Sequence, residues 1–232
     1  MSEVESFLAG NGWGSRAFYQ FARAVITTFT RLWTRMRIEG REHLPRRGAY
    51  VLAPVHRSYI DTPISGCLTL RRLRFMGKDP LWKKRWSGWL LSALGGFPVT
   101  RGTADREALR RCIAVLESGE PLVLFPEGER KSGPVVQPLF DGAVYVALRA
   151  GVPIVPVGIG GSERVMPKGT NVMYPRKVHV IVGAPILPQA TTASGRVPRS
   201  AIRTMSDELH STLQDLFDTA QAKAGTPNPQ RF

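Results

Sequence analysis

Along residues 17–37 the apolar positions Phe18, Ala22, Val25, Phe29, Leu32 and Met36 recur at alternating spacings of four and three. That rhythm puts them on one face of a helix. Arg23, Arg31, Arg35 and Arg37 lie off or beside the stripe, with no acid among them. A basic amphipathic helix of this kind either lies in a membrane interface or caps a protein core, and the pattern favours neither. Beyond it the apolar runs shorten. Residues 50–55 (YVLAPV), 73–77, 122–125 (LVLF), 154–159 and 178–182 read as strands, the last with clean alternation. Between them, residues 62–70, 105–117, 142–150 and 200–222 carry helical spacing. Ile202, Met205, Leu209, Leu213, Leu216 and Ala220 share one face of the last of these, and Gly151 closes the one before it.

Apolar strands alternating with helices need cover on both faces, which predicts an α/β fold. The expected architecture is a single domain with a mixed, largely parallel sheet flanked by helices and an N-terminal amphipathic helix. No internal repeat or linker divides the chain. The expected division is an N-terminal amphipathic helix over 1–37, with membrane association as one of its two readings, the main domain over 38–224 and a disordered tail over 225–232. Pro156 within IVPV suggests an irregular or edge position for that strand, although a plain core strand fits the segment better.

Composition narrows the partners. Hydrophobic residues make up 43% of the 232, enough to fill a core, and 32 Lys+Arg against 18 Asp+Glu leave a net charge of +14. Such a surface favours polyanions: nucleic acid, an anionic membrane or a phosphorylated substrate. No zinc-finger spacing, basic heptad coil or interleaved aromatic–basic run supports nucleic acid. An anionic membrane surface or a phosphate is therefore the expected partner. The two cysteines, Cys67 and Cys112, make neither a disulfide framework nor a metal site and read as buried thiols. Acids at the start of the chain argue against a signal peptide, and no run is long and apolar enough to cross a membrane. Trp82, Trp86 and Trp89, at spacings of four and three beside Lys83, Lys84 and Arg85, suit a headgroup boundary or a core equally.

Chemistry concentrates at strand ends. The run YVLAPV leads directly into HRSYID, placing His56 at the carboxyl end of a strand and Asp61 at the start of the next helix. A histidine can take the proton of an alcohol as a bond forms to carbon, and an aspartate on its other nitrogen fixes the tautomer. The bland alternatives are a structural histidine and an aspartate serving as helix N-cap before Thr-Pro. FPEGER, residues 125–130, follows a second buried strand and brings Glu127, Gly128 and Arg130. Its glycine lets backbone approach a phosphate, and its arginine suits phosphate oxygens; a charged turn is the alternative. GFPVTRG places Arg101 after a short apolar strand, where it suits a second phosphate contact, and Lys78 follows LRFMG, where on its own it reads as an ordinary solvated lysine. Ser58 beside the histidine is a weak candidate for an acyl-enzyme.

In this order HRSYID, GFPVTRG, FPEGER and IVPV resemble the four blocks of the phospholipid/glycerol acyltransferase family, most of all its bacterial 1-acyl-glycerol-3-phosphate acyltransferases. IEGREHLPRRGAYVLAPVH resembles the family's lead-in, and the likeness covers residues 38–185. The resemblance implies a base, His56, with Asp61 as its partner in the HX4D motif. It implies acceptor binding by Arg101, Glu127, Gly128 and Arg130, with Lys78 nearby. The substrates would be lysophosphatidic acid and acyl-CoA or acyl carrier protein, with no cofactor and no metal. The protein would be peripheral or monotopic on the cytoplasmic face of the cell membrane. Two departures bear on the acceptor: Val55 stands where the family often has asparagine, and Glu129 where it often has threonine. Acyl chain length, donor carrier and oligomeric state stay open.

Overall fold

A computed structural model describes residues 13–78, 82–83, 85–99, 105–170, 172–188 and 197–229. Within them the strands are β1 (Arg37–Glu39), β2 (Val51–Pro54), β3 (Arg74–Lys78), β4 (Gly96–Val99), β5 (Leu122–Val123), β6 (Ile154–Gly160) and β7 (His179–Val182). The helices are α1 (Trp13–Thr34), α2 (Asp61–Gly66), α3 (Arg85–Ala93), α4 (Asp105–Glu117), α5 (Gly142–Ala150), α6 (Ser162–Val165) and α7 (Arg199–Ala224). The strands form one sheet in the order β1-β7-β6-β2-β5-β3-β4. Every pairing is parallel except β6 with β7. The expected α/β sheet is therefore mixed and mostly parallel, and β2, β3, β4, β5 and β6 all leave it by the same edge.

β2 and β6 are buried at every position, which is why both read as unbroken apolar runs rather than as alternation. α7 covers β6 and β7, burying Met205, Leu209, Leu213, Phe217 and Ala220 at helical spacing. Its approach is close: a Cβ on Gly160 would fall 2.2 Å from the Ala220 carbonyl carbon, and one on Gly158 would fall 2.4 Å from that of Leu216. Glycine at these alternate positions lets the helix backbone rest on the strand.

Pro156 is not at an edge, because β6 lies between β7 and β2. β2 bonds to the carbonyls of Pro153 and Val157, so Pro156 faces β7. The β7 ladder stops at Val157↔Val182, and the next contact is the bridge Ile154↔Ile186. The missing N–H falls in the gap between them, where the Pro156 carbonyl accepts the Gly183 N–H. The strand expected over 122–125 narrows to β5, and the helix expected over 62–70 ends at Gly66. Beyond that end Arg31 and Arg41 donate to the Cys67 carbonyl, and Arg23 to that of Thr69. The predicted periodicity ran to Arg37, whereas residues 37–39 turn into β1 beside β7. Thr226 and Asn228, expected in a disordered tail, are anchored instead: Thr226 to Gln221, and Asn228 to Asp218 and the Pro134 carbonyl.

α1 is turned opposite to a core helix. Tyr19, Thr27, Thr30 and Thr34 are its buried residues, while Phe21, Val25, Phe29 and Leu32 are 69%, 54%, 50% and 75% exposed. Much of the apolar stripe thus faces outward, and a plain core cap does not account for it. Trp86 and Trp89 of α3 are exposed too, with Trp89 against Phe18 at 5.0 Å between ring centroids. Trp82 departs from that group, packing on Gly88 and Gly96 and donating to the Ser92 hydroxyl. No helix among the described residues is long and apolar enough to cross a membrane.

Candidate active site

The sheet register brings the first and third motifs together. Leu52 pairs with Val123, and these neighbouring strands run directly into the two motifs, His56 following β2 and Glu127 following β5. The motifs are then bonded to each other. The His56 N–H donates to Glu127 Oε2 at 3.2 Å, and the Lys131 N–H to the His56 carbonyl at 2.9 Å. Phe125 stacks on the imidazole with centroids 3.9 Å apart and planes at 20°.

The loop from His56 to Asp61 folds over one carboxylate oxygen. Asp61 Oδ2 accepts the N–H groups of Arg57 and Ser58, both at 2.6 Å, and lies 3.1 Å from His56 Nδ1. Asp61 is fully buried, whereas the His56 side chain keeps 16% of its surface exposed. With Nδ1–H donating to Asp61, Nε2 presents a lone pair towards the solvent side, and no described residue bonds to it. Asp61 is thus not an N-cap: its oxygen holds the preceding loop rather than the helix amides, and α2 has no side-chain cap. The Arg57 and Ser58 amides, natural candidates to hold an oxyanion after His56, are already taken. Ser58 is buried and donates its hydroxyl to the Met166 carbonyl at 2.9 Å, which removes it as a nucleophile.

Glu127 was expected at the substrate. Instead it is fully buried against an equally buried Arg57, whose Nη1 lies 2.7 and 2.9 Å from the two carboxylate oxygens. Glu127 also accepts the Gln137 N–H at 3.0 Å. Arg57 further donates to the His56 and Val135 carbonyls and covers the Phe217 ring at 4.8 Å. The pair ties the His56 loop, the third motif and α7 into one block beneath the imidazole. Gly128 shapes the turn. It sits at φ 70°, its N–H closes a turn on Phe125, and a Cβ would meet the Phe140 ring at 2.7 Å.

Arg130 keeps an unused donor. Its guanidinium lies 3.4 Å above the centre of the Tyr59 ring, and its Nη1 is buried without a protein partner. Glu129, the acid substituted beside it, pairs with Lys131 at 2.8 Å. Lys78 ends β3 level with Val99 of β4. Its side chain, and all of Arg101, lie outside the described residues. Arg57, Phe125 and Tyr59 were not singled out from sequence, although all three stand inside the quoted motifs.

A family model described as Acyltransferase matches residues 35–160, more than half of the chain. The chain belongs to the acyltransferase family. This acyltransferase is similar to the 1-acyl-sn-glycerol-3-phosphate acyltransferase of Bacillus subtilis, 28% identical over 200 residues that cover 85% of the chain and 96% of that protein. It is 30% identical over 154 residues to a chloroplastic 1-acyl-sn-glycerol-3-phosphate acyltransferase of Brassica napus, covering 64% of the chain. Those residues span 44% of the plant protein. Among solved structures it is similar to the 1-acyl-sn-glycerophosphate (LPA) acyltransferase PlsC from Thermotoga maritima. There the TM-score is 0.69 and the identity 25%, over 85% of this chain and 80% of that one.

Proposed function

We propose that the protein transfers a fatty acyl group from acyl-CoA or acyl carrier protein to the free hydroxyl of 1-acyl-sn-glycerol-3-phosphate, giving phosphatidic acid. The observation that carries this reading is the His56–Asp61 pair with its open Nε2, on a loop whose Tyr59 supports the unpartnered Arg130. The relatives' activity on lysophosphatidic acid supports the same acceptor.

In this mechanism Arg130 holds the acceptor phosphate, with Arg101 and Lys78 as further ligands. His56 Nε2 takes the hydroxyl proton while the oxygen attacks the thioester carbonyl. Asp61 stabilises the imidazolium that forms. Collapse of the tetrahedral intermediate breaks the C–S bond, and the imidazolium proton goes to the departing thiolate, leaving His56 neutral for the next turnover. Glu127 and Arg57 act as positioning residues, holding the His56 backbone. The outward apolar face of α1, with Trp86 and Trp89, seats the enzyme as a peripheral or monotopic protein on the cytoplasmic face of the membrane. Flanking arginines would meet anionic headgroups there.

The test is thiol release from acyl-CoA with lysophosphatidic acid as acceptor. His56→Ala should lower turnover by roughly 10²–10⁴-fold, the usual contribution of a general base. Near-normal turnover by folded His56→Ala protein would overturn the mechanism.

A further inference from the structure

The outward side of α1 borders a cavity of about 290 Å³. Val25 and Phe29 of α1 form one wall, Tyr59 and Pro63 of the His56 loop and α2 a second, and Met166 and Met173 a third. No titratable side chain other than the Tyr59 phenol lines it. We propose that this groove seats the hydrocarbon chain already present on the acceptor, and that Tyr59 couples that chain to the phosphate-binding arginine. The inference rests on the acceptor reading above and deepens it.

Three observations select the occupant. The first is continuity: the Tyr59 ring that lines the groove is the ring beneath the Arg130 guanidinium. An anion on Arg130 and an alkyl chain in the groove are therefore neighbours, and a lysophospholipid carries both groups on one glycerol. The chain of the acyl donor begins instead at a carbonyl that must lie beside His56 Nε2, with no phosphate next to it. The second is mechanical coupling. The Ser58 hydroxyl donates to the Met166 carbonyl, so the methionine wall is tied to the loop that carries the base. Seating a chain there orders that loop. The third is access. Val25 and Phe29 belong to the exposed apolar face of α1, so the groove opens along the surface on which a lipid chain would arrive. Methionines on the facing wall are unbranched and adapt to chains of different shape.

Tyr59 thereby becomes a specificity-determining residue. An acceptor with a phosphate but no chain, such as glycerol-3-phosphate, would use Arg130 and leave the groove empty.

Binding of n-alkyl phosphates from butyl to decyl, each below its micelle concentration, tests this by calorimetry on the full chain. These probes cannot react, so the outcome does not depend on turnover. Affinity should rise about three- to fourfold for each methylene that enters the groove. Val25→Trp, at an exposed position, should flatten that rise while leaving butyl phosphate binding unchanged, and Met173→Phe provides a second, milder block. Tyr59→Ala should weaken the long and the short phosphates together. No dependence on chain length in the unmodified protein would overturn the inference. So would a Val25→Trp protein that keeps the full rise and changes only its preference among acyl donors. A clear rise without any acylation of lysophosphatidic acid would leave the groove assigned and would sink the proposed reaction instead.

Discussion

Replacing Arg57 with methionine tests the buried pair under the imidazole. Arg57 is 1% exposed, and its side chain makes hydrogen bonds to both Glu127 oxygens and to the carbonyls of His56 and Val135. Methionine has similar bulk and preserves part of the packing on Phe217. It leaves the Glu127 carboxylate buried with only the His56 and Gln137 amides as donors. Removing one partner of a buried ion pair costs roughly 3–5 kcal/mol, mostly from the charge left uncompensated. In a chain of this length that lowers the midpoint of thermal unfolding by about 6–20 °C. The double change Arg57→Met with Glu127→Gln removes that charge yet keeps an oxygen for the His56 N–H. It should be more stable than Arg57→Met alone, by about 2 kcal/mol on the scale of a charged hydrogen-bonding group left unsatisfied. Urea unfolding followed by tryptophan fluorescence measures all three proteins. A loss below about 1 kcal/mol in the single variant, or a double variant less stable than the single, would refute the assignment of Glu127 as a buried, charged partner.

Phe21→Glu with Leu32→Glu, both on the outward face of α1, should leave unfolding unchanged. It should weaken sedimentation with vesicles containing anionic lipid by at least about tenfold, since each side chain contributes on the order of 1 kcal/mol or more of apolar burial; equal sedimentation would remove α1 from the membrane contact. Burial pushes the Cys67 thiol up to about 11 and that of Cys112 up to about 12. Both should therefore resist a thiol reagent at pH 8 until the protein is unfolded, and rapid labelling of native protein would contradict this. Because a raised thiol pKa holds protons that the unfolded chain releases, stability should also fall as pH rises above about 9. Gly160→Ala forces a methyl into the α7 backbone. It should destabilise by about 1–3 kcal/mol or more, read by urea midpoint, with an unchanged midpoint telling against the close packing.

The fold was legible wherever one local rule decided the outcome. Strands buried on both faces announce themselves as apolar runs, so β2, β5 and β6 were found, with boundaries shifted by one or two residues. β1 was missed because three residues, RIE, carry almost no pattern; tertiary pairing with β7 makes them a strand. Pro156 left an edge or irregular position open beside the plain core strand, because the rule concerns a missing donor, and only the neighbouring strand's course shows that no acceptor waits there. For α1, period and composition defined an amphipathic helix without saying which face met the protein. Thr27, Thr30 and Thr34 settle that, pointing inward where hydroxyl side chains would ordinarily face water.

At the site, sequence located the chemistry but could not divide binding from support. His56 and Asp61 lie within one loop, so their meeting follows from local geometry. Glu127 and Arg130 stand three residues apart in one motif, and the family resemblance puts both at the acceptor. Their partners separate them: Glu127 is buried against Arg57, while Arg130 emerges beyond the turn onto Tyr59. Arg57 was hidden by the same ambiguity, since an arginine beside a catalytic histidine reads as a ligand for anions until burial shows that its anion is another side chain. A charged residue in a motif is thus assigned less by its type than by which side of the sheet's carboxyl edge it leaves from. On this edge the inward side holds His56 in place, and in the proposed mechanism the outward side meets the substrate.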